Sequence, residues 1–141
     1  MPYFKDSREM YEIHQALLEC LASHPEVGPE LARAKLVISF KVHDPEGIIT
    51  INCKSAGEGK YFSYLFGESN LKPDLLFTNS ADFLHKFWQG KANIVASILA
   101  QQTKIEGNMT QAMKLLPMIK PISSIYPQIL KEIGRLDLII P

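Results

Sequence analysis

The spacing of apolar residues changes at residue 36, and that change limits the folds open to this chain. Before it, Met10, Ile13, Leu17, Cys20 and Leu21 recur at three- and four-residue intervals, with Arg8, Glu9, Glu12, Gln15 and Glu19 between them. This is the pattern of an amphipathic helix beginning at Ser7. His24-Pro25 and Gly28-Pro29 close it, and Pro29 is suited to open a second short helix running to Ala34. From Leu36 the period drops to two: Leu36, Ile38, Phe40 and Val42 alternate with Val37, Ser39 and Lys41, which is strand spacing. Asp44-Pro45-Glu46-Gly47 reads as a turn. Ile49, Ile51 and Cys53 form a return strand, Gly57-Glu58-Gly59 a second turn, and the aromatic-rich run 61–66 a third strand. These segments predict an antiparallel meander, with a fourth short strand at 75–78.

Helical spacing then returns. Ser80 is an N-cap candidate ahead of Phe83, Leu84, Phe87 and Trp88, and Gly90 ends that helix. Another helix carries Ile94, Val95, Ile98 and Leu99, residues 103–106 suit a fifth strand, and Gly107-Asn108 precedes a helix holding Met109, Ala112, Met113 and Leu116. Pro117, Pro121 and Pro127 punctuate an apolar tail. There Met118, Ile119, Ile122, Ile125, Tyr126, Ile129 and Ile133 keep helical spacing, yet the prolines predict a broken helix, best formed over 128–135. Strands grouped rather than alternating with helices point to an α+β fold: a mostly antiparallel five-stranded sheet covered by helices.

The chain has 141 residues, room for one domain that buries roughly two thirds of its unfolded surface. Fifteen basic and fifteen acidic residues cancel and are scattered, which argues against nucleic acid as a partner. Cys20 and Cys53 are too few and too far apart for a CxxC site or a disulfide scaffold, and are expected to be reduced thiols. The first residues lack the apolar core of a secretory signal, and no stretch approaches the ~18 apolar residues of a membrane span. The C-terminal Leu138-Ile139-Ile140-Pro141 is no peroxisomal address, and the sequon Asn108-Met109-Thr110 is expected to be accidental. The expected location is cytoplasmic.

Catalytic and metal chemistry find no motif. His14, His24, His43 and His85 show no HExxH or HxxxH spacing. No GxSxG elbow exists. Gly90-Lys91 lacks the upstream glycine of a P-loop and has Ala92 where Ser or Thr would bind magnesium. Asp74 and Asp82 read as a loop acid and a first-turn acid. The expectation is a non-enzyme with no metal site and no cofactor.

What is present is apolar surface. The run Asp82-Phe83-Leu84-His85-Lys86-Phe87-Trp88-Gln89-Gly90-Lys91, then Lys104-Ile105-Glu106-Gly107-Asn108-Met109 and Ala112-Met113-Lys114-Leu115, resembles the sterol carrier protein 2 family. That family shows an acidic residue and Phe opening a helix, Gly-Lys closing it, a Lys-containing strand, and Gly-Asn or Gly-Asp before the last helix. The resemblance runs without a gap from Asp82 to Leu116 and extends more loosely over residues 7–118. The chain departs from the family at Ile98 and Leu99, where two aromatics are usual, and at Gln101, Gln102 and Thr103, where Gly-Lys-Leu is usual.

The resemblance implies an apolar cavity between sheet and helices that accepts fatty acids, acyl-CoAs, sterol-like molecules or phospholipids, so lipid binding and transfer without catalysis. Within the matching region, shared helical faces nominate Phe87, Trp88, Ile98, Met109, Met113 and Leu116 as lipid-binding residues. Lys91 and Lys104 are candidates to meet an anionic head at the mouth. Residues 1–120 would form the lipid-binding domain and residues 121–141 an apolar extension packing on it, as a lid or, second, as a homodimer contact; transient membrane contact stays open. The competing expectation is a protein-interaction or oligomerisation module whose cavity is filled by side chains.

Overall fold

The computed structural model describes residues 2–141. Helix α1 (Ser7–Ala22) is capped by Asp6, whose carboxylate accepts from the Glu9 N–H at 2.8 Å. Its apolar stripe, Met10, Ile13, Leu17, Leu18 and Leu21, is buried. Helix α2 (Val27–Ala34) starts two residues ahead of Pro29, which occupies the first turn where its missing N–H costs no bond. Gly28 is required there: a Cβ would stand 2.2 Å from the Tyr61 ring.

Strands β1 (Val37–His43), β2 (Gly47–Asn52), β3 (Ser63–Phe66), β4 (Leu75–Ser80) and β5 (Lys104–Gly107) form one sheet in the order β3-β2-β1-β4-β5. The expected meander is present as β1–β2–β3, and β4 pairs with β5 antiparallel. The central β1–β4 pair is parallel, with Phe40 opposite Phe77 and Val42 opposite Asn79. Asp74 pins the start of that pair, its carboxylate accepting from the Val37 N–H at 2.8 Å while its own N–H donates to the Val37 carbonyl. Gly107, at φ +122°, passes so close to Asp74 that a Cβ would lie 2.2 Å from its carbonyl oxygen.

Alternation sends Ile38, Phe40 and Val42 toward the helices and Lys41 and His43 toward solvent. The helical layer comprises α1, α2, α3 (Ala81–Trp88), α4 (Ile94–Leu99), α5 (Met109–Leu115) and α6 (Ile119–Glu132), with a 3-10 turn at Leu116–Met118. Ser80, Asn93 and Asn108 cap α3, α4 and α5, each accepting from the N–H three residues on at 3.0 Å.

The tail differs from expectation. One continuous helix, α6, runs through both prolines. Pro121 is its third residue, where the amide has no partner within the helix, and Pro127 removes a single interior bond. That loss is offset by burial of Ile122, Tyr126, Ile129 and Leu130. The helix ends at Glu132, with Gly134 in the left-handed region just beyond.

Candidate functional site

Between sheet and helices lies an apolar cavity of about 60 Å³. The sheet supplies its floor: Ile38 and Phe40 from β1, Ile51 from β2, Phe77 and Asn79 from β4. Leu21 and Leu31 close the end under α1 and α2, while Leu84, Phe87 and Trp88 form the α3 wall. Ile94, Ala112, Leu115 and Leu116 complete the α4–α5 side, and Ile119 and Ile122 of α6 cover it.

Of the six residues nominated from sequence, Phe87, Trp88 and Leu116 line this cavity. Ile98, Met109 and Met113 are not part of its wall: Ile98 and Met113 are half-buried and packed behind it, and Met109 is 45 % exposed. The reason is a rotation about each helix axis. On α5 and the turn after it the inward face is Ala112–Leu115–Leu116 rather than Met109–Met113, and on α4 it is Ile94–Ser97 rather than Val95–Ile98. Sequence reasoning also missed the sheet floor, although the alternation at 36–42 already marked one face of β1 as inward.

The polar groups around the cavity fall into two kinds. On the outer side of α3 they are paired. Trp88 Nε1 donates to His14 Nε2 at 3.0 Å, and His14 Nδ1 donates to the Met10 carbonyl at 2.9 Å, which fixes a neutral tautomer. Burial lowers the His14 pKa to about 4. His85 donates through Nε2 to the Leu138 carbonyl at 2.7 Å, so its Nδ1 accepts from the Tyr126 hydroxyl at 2.9 Å. Burial holds its pKa down as well. Gln89 adds a second donor to Leu138 O at 3.0 Å and accepts from the Ile140 N–H at 2.8 Å. On the cavity side stands Asn79, whose amide donates to Thr103 Oγ1 at 3.5 Å.

A surface depression abuts the cavity and shares Phe87, Ile94, Leu116 and Ile119 with it, so these four side chains form the partition. Lys91 lines the depression. Lys104 instead lies on β5, 3.9 Å from Glu106. Cys53 is buried, with its thiol pushed up to about 11, and Cys20 is half-buried with its thiol also raised by burial. Among the described residues no cluster of three or more His, Cys, Asp or Glu could hold a metal, and no helix is long and apolar enough to cross a membrane.

Helices over a β3-β2-β1-β4-β5 sheet with an apolar cavity between the layers define an α+β class of fold, and comparison with known proteins gives it a family. A sequence model of the SCP-2 sterol transfer family matches residues 15–120. The chain therefore belongs to the SCP-2 sterol transfer family, whose domain is a lipid-binding and lipid-transfer fold. The sterol carrier protein domain 2 of Helicoverpa armigera is similar at 26% identity and TM-score 0.60, over 83% of this chain and 87% of that one. Sterol carrier protein 2 from Yarrowia lipolytica, in its apo form, is similar at 20% identity and TM-score 0.56, over 85% and 93%. Palmitated SCP2L2 from Aedes aegypti shares the fold at 15% identity and TM-score 0.51, over 74% and 92%. No curated protein matches significantly.

Proposed function

We propose that this protein is an intracellular, non-catalytic carrier that takes the apolar tail of a fatty acid, acyl-CoA, sterol-like molecule or phospholipid into the cavity. The observation that carries the reading is an apolar void bounded by half-buried side chains, Phe87, Leu116 and Ile119, at the partition from an open depression. Each methylene moved from water into such a space is worth roughly 0.8 kcal/mol, so ten carbons contribute about 8 before ordering costs. The resting volume of about 60 Å³ is smaller than the roughly 150 Å³ that admits benzene. Uptake therefore requires the partition to part. Phe87, Trp88 and Leu116 contact the tail directly; Ile98 and Met113 back the wall, and Met109 stays outside. Lys91 meets an anionic head at the mouth. The raised thiols and neutral buried histidines leave no activated nucleophile or base near the cavity, which favours binding without turnover.

In this reading residues 1–120 bind lipid and residues 121–141 act as a lid through Ile122. Mass spectrometry of the purified protein under native conditions should show co-purified lipid. Ile122→Ala, which leaves the Tyr126–His85 hydrogen bond in place, should speed lipid release with the mass of the assembly unchanged. The second reading, an interaction or oligomerisation module, is favoured by the small resting volume. It requires no bound lipid and a dimer that falls to monomer when the exposed Ile133 and Leu136 of the tail are replaced by Asp.

A further inference from the structure

The cavity floor carries one polar side chain, and it is incompletely paired. Asn79 is 2 % exposed. Its Nδ2 reaches Thr103 Oγ1 at 3.5 Å, while its Oδ1 has no hydrogen-bond partner among the described residues. Leaving an acceptor buried and unpaired costs stability that an apolar residue in its place would not cost. The amide is nevertheless held in position. Thr103 Oγ1 lies 2.8 Å from the Ser97 hydroxyl, which donates to the Ile94 carbonyl at 2.7 Å, and both Ser97 and Thr103 are buried. Thr103 is one of the positions where the chain departs from the family pattern.

The surroundings say what could pair with Oδ1. Water is a poor occupant, because a buried water needs two to four polar partners and the rest of the wall is hydrocarbon. A carboxylate would set acceptor against acceptor and bury a charge. An uncharged hydroxyl on an apolar chain satisfies both conditions: it donates to Oδ1 and leaves the rest of the molecule on Phe40, Phe77 and Ile38. Ile94, whose carbonyl anchors the Ser97–Thr103 pair, also lines the depression outside. Asn79 therefore stands on the mouth side of the floor, and once the partition parts the chain would run toward Leu21 and Leu31 at the other end of the lining.

We propose that this site selects a lipid alcohol, a long apolar chain bearing one uncharged hydroxyl that donates to Asn79 Oδ1. The inference rests on the lipid-binding reading above and names the chemistry of its ligand. The test titrates the full chain with 1-decanol and with its isomer nonyl methyl ether, whose oxygen accepts but cannot donate. The readout is the emission of Trp88, the only tryptophan, in the cavity wall. The alcohol should bind about tenfold more tightly than the ether, and Asn79→Leu should bring the ratio close to one while keeping ether affinity. Equal affinities in the unaltered protein, or a ratio that survives Asn79→Leu, overturn the proposal while lipid binding stands. If neither compound binds, the carrier reading falls with it. The ratio in the unaltered protein decides the matter should the variant fail to fold.

Discussion

The two sides of α3 are built on opposite terms. Its outer side, around His14, His85 and Tyr126, is polar, buried and paired, and ties α1, α3, α6 and the C-terminal Leu138 together. Its inner side is hydrocarbon around a void, with Asn79 Oδ1 unpaired across it among the described residues. Trp88 belongs to both, its ring in the cavity wall and its Nε1 on His14. The difference separates rigidity from plasticity: hydrogen bonds on one side hold a helix whose other side has few partners to lose when the wall moves.

The largest expected effect breaks the outer side. His85→Ala strips partners from Tyr126 and Leu138 and leaves a cavity, and should cost about 3–5 kcal/mol in urea unfolding. Leu116→Ala on the half-buried partition should cost only about 1–2 kcal/mol and speed ligand exchange. Comparable losses for the two variants would erase the contrast.

Acid should act next, and again on the outer side. His14 titrates near 4 in the folded chain against 6.5 when unfolded, so between those values the unfolded chain binds a proton that the folded one does not. Stability should therefore fall as pH drops below about 6.5 and level off near 4, by about 3 kcal/mol, with His85 acting in the same direction. Glu19 and Asp74, held low by their hydrogen bonds, add their losses only below their ordinary values of 4.5 and 3.8. Urea midpoints from pH 7.5 to 4.5 isolate the histidines; a flat profile there would contradict their burial as neutral rings.

The smallest effect sharpens the inner side. Ala112→Val adds volume where the void lies and should gain about 1 kcal/mol in stability while weakening lipid uptake. A destabilised variant with undiminished uptake would mean that Ala112 borders no usable space.

How much of this was legible follows from where each decision is local. Caps and turns are local, so Ser80 and Asn108 could be recognised by type and position. Strand existence was legible from period, but the parallel β1–β4 pairing was not, because nothing within either strand names its neighbour. The prolines misled because their cost is local while the burial that offsets it is tertiary. Met109 and Met113 share a helical face, yet a stripe on a short helix does not tell which adjoining face turns inward. Asn79 did leave a signal: after Leu75 and Phe77, a polar residue breaks the inward alternation of its strand.

The parallel pair at the centre of the sheet also sets an order in time. β1 and β2 close over the short turn 44–46, whereas the Val37–Asp74 hydrogen bond joins positions 37 residues apart. As the chain is synthesised, β1 and β2 can pair early, but the other edge of β1 must wait for β4 to emerge. Until then that edge is an open template for any other strand. The strand pair that carries Phe40, Phe77 and Asn79 therefore has the longest loop to close in the sheet, so the floor of the cavity is completed only after the β1–β2 hairpin.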